Sequence, residues 1–225
     1  MVLAQSRIPD KTNEIPEFQP LPRPLDLVGK VVTADALNAQ TEQVVEEKKA
    51  HYVFTVKDNQ PTLRKAIQDL DDDGFPPPLR QTNKGHGRIE VRTIQVSSAL
   101  RGCLEFPHAA QAFHIHRKTS YIKAGKVTEE TAYGVNSLTA EKAKPERLLA
   151  LVRNHWHIEN KVHYMRDFTY GEDASEVRTA NGPRAMATLL TLAIALIRGK
   201  GWSGIPEGNR HCAARRHEIL ALLGV

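Results

Sequence analysis

Two acidic residues stand at positions where a carboxylate could bind a metal ion. Asp35 ends the β-branched run Val31–Ala34, and ligand groups collect at the carboxyl ends of strands in parallel α/β sheets. A carboxylate there can bind a hard cation such as magnesium, which prefers oxygen ligands. Aspartate is also common as the cap of a following helix, and the local sequence alone favours that second interpretation.

The second acid, Glu159, follows a histidine-rich stretch with the sequence RNHWHI. Helical spacing predicts that His155, Glu159 and His163 share one side of a helix, beside Trp156. A carboxylate next to an apolar stripe is partly desolvated and needs a partner or a metal ion. One alternative is a solvated face in which Glu159 pairs with a histidine or with Arg166. Another is a transition-metal site made from the two histidines and the glutamate, although no HExxH pattern is present.

The positive charge of the chain is concentrated in its middle. The 225 residues carry 31 Lys+Arg and 26 Asp+Glu, a formal net charge of +5. Residues 1–79 have a net charge of −4 and residues 80–130 a net charge of +5. A basic block is what phosphate binding requires, although scattered basic residues on a solvated surface explain the charge equally well. With two cysteines the chain is neither a disulfide scaffold nor a cysteine zinc ribbon, and a reducing compartment is indicated.

Two strand–helix pairs are predicted before the basic block. The strand-like runs are Lys30–Asp35 and His51–Val56, and the helical patterns are Leu37–Lys49 and Pro61–Leu70. This order predicts a mainly parallel, buried sheet. A strand at Val2–Gln5 and a short or distorted helix within residues 11–27 are expected upstream.

The basic block has the pattern of β-structure, and helical patterns return after it. Residues 71–87 are expected to form a surface loop. Strand patterns follow at Arg88–Ser97, Ala112–Lys123 and Val127–Leu138, the last two joined as a hairpin. Helices are expected from Pro145 to about Arg166, after Asn181-Gly182-Pro183, and at His211–Leu223. The longest apolar stretch, residues 185–197, is too short to span a bilayer.

Five stretches, read together, resemble one known family. They are VVTADALNAQ (31–40), HYVFTVKDNQPTL (51–63), KGHGRIEVRT (84–93), VRNHWHIENKVHY (152–164) and YGEDASEVRTANGP (170–183). In this order they resemble the insertion-sequence DDE transposases of the H-repeat-associated (ISAs-one) group, relatives of the IS-four-like transposases. The resemblance covers nearly the whole chain. Its most specific part is the HW-x-IEN segment together with T-x-DAL and K-x-NQP upstream.

The resemblance implies an α/β, ribonuclease-H-like fold that lacks its first strand and has a β-rich insertion before the final catalytic helix. It implies a partial ribonuclease-H-like core at residues 1–79, a β-rich basic insertion at 80–143 and the C-terminal helical part of the catalytic core at 144–225. Asp35 matches the family's second metal-binding acid and Glu159 its last one. In a complete member, three such acids hold two divalent ions, Mg²⁺ or Mn²⁺.

The resemblance also implies DNA as a partner, both transposon ends and target. The residues expected to contact it are Lys84, His86, Arg88, Arg92, Arg153, His155, Trp156, Asn160 and Arg166. Two metal ions can activate a water or a 3′-hydroxyl and stabilise the leaving oxygen at a DNA phosphate. Further expected partners are a second copy of the chain or a full-length transposase. The protein is expected in the bacterial cytoplasm, at the nucleoid and without a membrane segment.

The sequence departs from the family pattern in three places. The first acid, in a segment resembling V-D-G-K, has no counterpart in these residues, relatives have a leucine-rich helix at Leu21–Pro24, and they have tryptophan at Tyr164. The expected function is therefore DNA transposition, by metal-dependent phosphodiester cleavage and strand transfer, in an N-terminally truncated copy that is inactive on its own. The alternatives are a non-enzymatic DNA-binding remnant and a metal-dependent hydrolase that uses the face of His155, Glu159 and His163.

Overall fold

The described part of the chain forms two compact units, residues 22–155 and residues 159–218. The computed structural model describes residues 22–35, 41, 43–57, 60–70, 75–104, 106–155, 159–215 and 217–218, and only the backbone of Asp35, Glu159 and Asn160. The strand expected at Val2–Gln5, most of the helix expected within residues 11–27, and Trp156 lie outside this description.

The first unit contains a six-stranded sheet. Its strands are β1 (Val31–Asp35), β2 (His51–Val56), β3 (Leu79–Gly85), β4 (Arg88–Ser97), β5 (Gln111–Tyr121) and β6 (Val127–Asn136). Their order across the sheet is β1-β2-β6-β5-β4-β3. β1 and β2 are parallel, as predicted, but the other four neighbouring pairs are antiparallel. The prediction of a mainly parallel sheet is therefore wrong, because the later strands extend the sheet from β2 by antiparallel pairing.

The strands of the basic block agree with the sequence patterns except at β3. The strand predicted at Arg88–Ser97 and the hairpin of β5 and β6 are confirmed. The surface loop predicted for residues 71–87 is wrong over its second half, because β3 pairs with β4 along its whole length. A two-residue turn joins them, with positive φ at His86 (48°) and Gly87 (71°). Positive φ at both central residues is what a type I′ hairpin turn requires.

Both faces of the sheet are covered by helical structure. On one face, helix α1 (Pro61–Gln68) and a π-helical turn at Gln43–Glu47 pack on a cluster that includes Tyr52 and Phe54. On the other face, helix α2 (Pro145–His155) packs on a cluster that includes Ile94 and Phe113. The two apolar sets alternate along the strands, as the two-residue period of a β-strand requires. The first unit therefore has an apolar core on each side of one sheet.

The second unit is helical. It comprises π-helical segments at Glu159–His163 and Met165–Thr169, a 3₁₀ turn at Glu172–Ala174, and helices α3 (Gly182–Gly199) and α4 (Ile205–Ala214). A small core of Ile194, Ile197 and Ile205 joins α3 to α4. None of the helices in the described ranges combines the length and apolarity needed to cross a membrane.

The final helix begins at Ile205, six residues before the predicted start at His211. Gly208 lies inside α4, where an added Cβ would stand 2.4 Å from Ile197 Cγ2. The glycine permits close packing of two helices here, and it does not mark a loop.

Candidate nucleic-acid interface and metal-binding residues

The C-terminal end of α2 lies against β1. Leu148 and Val152 are buried on α2, and the helical spacing carries the same stripe to His155. His155 Nδ1 lies 3.2 Å from Thr33 Oγ1 on β1. This hydrogen bond joins residues that are 122 positions apart in the sequence. It fixes the end of α2 on the strand that carries Asp35.

The two predicted catalytic acids occupy element ends. Asp35 is the last residue of β1, where its backbone pairs with Thr55 of β2. Glu159 is the first residue of the π-helical segment that ends at His163. Among the described residues, no group of three or more His, Cys, Asp and Glu side chains is arranged to hold a metal ion.

Four arginines form a basic surface on the side of the sheet that α2 covers. Arg88 and Arg92 lie six and two residues before the buried Ile94 on β4, so they share its face. Arg117 is directly opposite Arg92 on β5, and Arg153 is exposed on α2. We call this set, Arg88, Arg92, Arg117 and Arg153, the arginine face.

Glu90 is the carboxylate within the arginine face. It is 8% exposed, forms an ion pair with Arg92, and lies 3.9 Å from Arg88 Nε. Burial lowers the pKa of Arg92, the Glu90 carboxylate raises it, and the charges of the other three arginines lower it again. The other three guanidinium groups therefore lie close enough to Arg92 to disfavour its charge. Arg117 also pairs with Glu130, so two glutamates face four arginines and positive charge remains.

The basic residues predicted at the β3–β4 hairpin do not all share this surface. Lys84 stands opposite Ile89 in the register. Residues opposite each other share a face and neighbours along a strand alternate, so Lys84 lies on the other side of the sheet from Arg88. His86 is exposed in the turn between them. The backbone N–H of Ile122 donates to the carbonyl of Gly87 at 2.9 Å, which ties this turn to the end of β5.

On the opposite face of the sheet, two basic side chains of β5 share one carboxylate. Lys118 Nζ lies 2.7 Å from a Glu129 oxygen, and His116 Nε2 lies 3.3 Å from the other oxygen of the same carboxylate. The hydrogen bond from Lys118 is the main cause of a lowered pKa of Glu129. A shared carboxylate therefore compensates the basic pair on β5.

In the second unit, Arg166 is paired with an acid. Its guanidinium donates two hydrogen bonds to Glu172, and both side chains are about one-fifth exposed, at 18% and 20%. The pair raises the pKa of Arg166. Gly171, with a φ of 63°, makes the turn that brings Glu172 back to the helical segment. Glu172 is thus a largely buried partner of Arg166.

Two residues of the basic surface were not singled out from the sequence. Arg117 belongs to a strand predicted correctly, but its place opposite Arg92 depends on the register of β4 and β5. Glu90 lies two residues after Arg88 and two residues before Arg92. On a predicted strand, this spacing was the signal that could have placed all three side chains on one face. Asn160 has only its backbone described, and His163 is exposed.

Comparison with known proteins identifies the family. The chain is 28% identical to "H repeat-associated putative transposase YhhI" and to "Putative protein YbfL" of Escherichia coli (strain K12), each over 99% of this chain and 62% of the relative. It is 27% identical to "Putative transposase YncI" of Escherichia coli O157:H7, over 88% of this chain and 53% of the relative. The chain thus spans about three-fifths of the length of the first two relatives.

A family model described as "Transposase DDE domain" matches residues 1–196. The match includes β1 with Asp35, the whole six-stranded sheet, α2, and the segment that begins at Glu159. The mixed α/β architecture is consistent with such a domain. On this match over most of its length, the chain belongs to the transposase DDE domain family.

Proposed function

We propose that this protein binds DNA as a transposase chain, and that Asp35 and Glu159 are ligands for the divalent ions used in phosphodiester cleavage and strand transfer. The observation that carries the proposal is the family match over residues 1–196, which includes both acids. The 225 residues hold no counterpart of the family's first acid, so we further propose that this chain alone does not cleave DNA.

The chemistry of the two acids suits Mg²⁺ or Mn²⁺, because hard cations prefer carboxylate oxygens. Asp35 closes a strand of the parallel pair β1–β2, a common position for ligand groups. Bound there, two ions would activate a water or a 3′-hydroxyl and stabilise the leaving oxygen of a DNA phosphate. The hydrogen bond between His155 and Thr33 keeps the end of α2 on β1, and we assign His155 this positioning role.

The arginine face is the proposed contact with the DNA backbone. Arginine presents a planar, permanently charged fork that matches phosphate oxygens, and the four guanidinium groups outnumber the two glutamates among them. Arg88 and Arg153 are exposed and available to phosphate. The remaining predicted contacts stay part of the proposal: Lys84, His86, His155, Trp156, Asn160 and Arg166.

Binding to a fluorescently labelled duplex at several NaCl concentrations tests the DNA contact. The affinity should fall steeply with salt, because each phosphate contact releases counterions. The variants Arg88→Glu and Arg153→Glu should each weaken binding and reduce the slope of log K against log salt by about 1. The control Lys65→Glu makes a similar charge change on α1, which covers the other face of the sheet, and should leave binding unchanged. Equal losses in all three variants would refute a localised contact.

Incubation with a transposon-end duplex and Mg²⁺ or Mn²⁺ tests the catalytic part. The chain alone should give no strand cleavage, because two carboxylates provide fewer ligands than the three of a complete site. Robust cleavage that Asp35→Ala or Glu159→Ala abolishes would confirm the two acids and refute the proposed inactivity. Cleavage that survives both substitutions would refute their assignment as metal ligands.

The second candidate function is a non-enzymatic DNA-binding protein that interferes with full-length copies of a transposase. The observation that favours it is the arginine face. Its four arginines could contact DNA without a complete set of metal-binding acids. Adding the chain to a cleavage reaction of a full-length relative distinguishes the two. Inhibition that Arg88→Glu relieves supports interference through DNA. Unchanged cleavage contradicts it.

A further inference from the structure

Two aromatic side chains lie side by side on the surface of the second unit. The rings of Tyr164 and Phe168 are stacked, with centroids 4.3 Å apart and an angle of 23° between their planes. Tyr164 is 48% exposed and Phe168 is 75% exposed. An aromatic ring this exposed forgoes most of the free energy that burial of a large apolar side chain would provide.

The fold of the second unit does not use these rings as core. Met165 and Tyr170, from the same helical segment, already pack against the cluster of Ile194 and Ile197. Tyr170 also donates a hydrogen bond from its hydroxyl to Asn209 Oδ1 at 2.9 Å. The segment is therefore anchored by its other side chains, and the two stacked rings are left to solvent.

Basic residues lie close to the stacked rings in the sequence. Lys161 and His163 are exposed in the π-helical segment that directly precedes Tyr164. Arg198 of α3 donates a hydrogen bond to the carbonyl of Lys161 at 2.6 Å, which holds a guanidinium group beside it. Aromatic faces among cationic side chains are the combination that binds unpaired nucleotides, because the rings stack on bases and the cations pair with phosphates.

We propose that the Tyr164–Phe168 stack binds an unpaired DNA base, with the exposed face of Phe168 as the stacking platform. The inference deepens the proposed function and rests on it, because it assumes that the chain binds DNA. A purely aliphatic surface on α3, with Leu189 58% exposed and Leu192 46% exposed, offers the comparison. That surface lacks π-faces and is not expected to hold a base.

Equilibrium binding of a labelled single-stranded oligonucleotide and of a duplex with the same sequence tests the proposal. Phe168→Ala should weaken single-strand binding by about 5- to 150-fold, which corresponds to the about 1–3 kcal/mol that one stacked base contributes. Phe168→Leu should be weakened similarly, because it keeps the apolar side chain and removes the π-face. Phe168→Trp should retain the wild-type affinity, and Leu189→Ala is the matched control. Duplex affinity should change less than about twofold in every variant.

A 2-aminopurine base in the single strand gives a second readout. Its fluorescence should be quenched on binding to the wild-type chain and to Phe168→Trp, and not on binding to Phe168→Leu. Unchanged single-strand affinity in Phe168→Ala, in a chain with a normal circular dichroism spectrum, would overturn the proposal. The proposal would also be overturned if Phe168→Ala lost self-association in analytical ultracentrifugation while its DNA affinity stayed unchanged. The rings would then bind a second copy of the chain.

The failure of this inference can be told apart from the failure of the proposed function. If the wild-type chain binds duplex DNA in a salt-dependent way and Phe168→Ala leaves single-strand binding intact, only the stacking site is refuted. If the wild-type chain binds neither form of DNA, the proposed function fails and the stacking site fails with it.

Discussion

Replacing Gly134 by alanine tests how closely β5 and β6 pack beneath α2. Gly134 is directly opposite Phe113 in the register. A Cβ added at Gly134 would stand 2.1 Å from Phe113 Cζ, and 2.6 Å and 2.7 Å from the two neighbouring ring carbons. Phe113 is fully buried in a cluster that includes Leu148 and Leu149 of α2. The ring therefore cannot move aside without displacing the helix.

The expected loss of stability follows from two opposing terms. Overpacking a well-packed core costs about 1–3 kcal/mol. Alanine also reduces the conformational entropy of the unfolded chain, which offsets about 0.4–1 kcal/mol of that cost. A contact of 2.1 Å is severe and puts the overpacking cost in the upper half of its range, so Gly134→Ala should lower the free energy of unfolding by about 1–2.5 kcal/mol. For a chain of this size the Tm should fall by about 2–10 °C.

Urea unfolding followed by circular dichroism measures the effect. The control is Gly199→Ala at the end of α3, where an added Cβ meets nothing within 4 Å. It should be neutral or stabilising by up to about 1 kcal/mol. In the double variant Gly134→Ala/Phe113→Leu the smaller side chain makes room, so the loss should be less than the sum of the two single losses. An unfolding free energy for Gly134→Ala within about 0.5 kcal/mol of wild type would refute this account of the packing.

Three further predictions concern polar groups of the first unit. Thr33→Val removes the hydrogen bond to His155 at nearly constant volume and should lower the unfolding free energy by about 0.5–1.5 kcal/mol; an unchanged urea midpoint would contradict it. Glu90→Gln leaves Arg92 without its carboxylate and should lower stability by about 1–3 kcal/mol, with part of the loss recovered in 0.5 M NaCl by screening of arginine repulsion; a loss independent of salt would argue against that repulsion. The pKa of His51 is lowered from 6.5, first by burial and then by two basic neighbours. The unfolded chain therefore binds its proton more tightly, so stability should fall as the pH drops from 6.5 to the folded-state pKa. His51→Gln should flatten that part of the profile in thermal melts between pH 7 and pH 5.

The sequence predicted elements well where an apolar period was strong. Arg88–Ser97 alternates clearly and forms a strand with those bounds, and Pro61 and Pro145 open helices as predicted. β3 was missed because it is an edge strand with most of its side chains exposed, so its stability comes from backbone pairing that leaves no apolar pattern.

The sequence supplies candidate residues for the site, but it does not supply their arrangement. Asp35 and Glu159 were identified as candidate acids from the resemblance, and their backbones lie at element ends. The contact of His155 with Thr33 and the position of Arg117 opposite Arg92 depend on residues far apart in sequence. Local periodicity contains no information on such pairs, which follow from strand order and register.

The position of β6 has a consequence for how the chain folds. β3 and β4, and β5 and β6, are joined by tight turns, and such hairpins form within about 1–10 μs. β2 instead pairs with β6, whose residues lie about eighty positions further along the chain, and closing so long a loop is slow. We therefore expect the four strands from β3 to β6 to assemble first, and the strand that carries Asp35 to join them last. During synthesis, β1 and β2 can join the rest of the sheet only after β6, which ends at Asn136, has been synthesised.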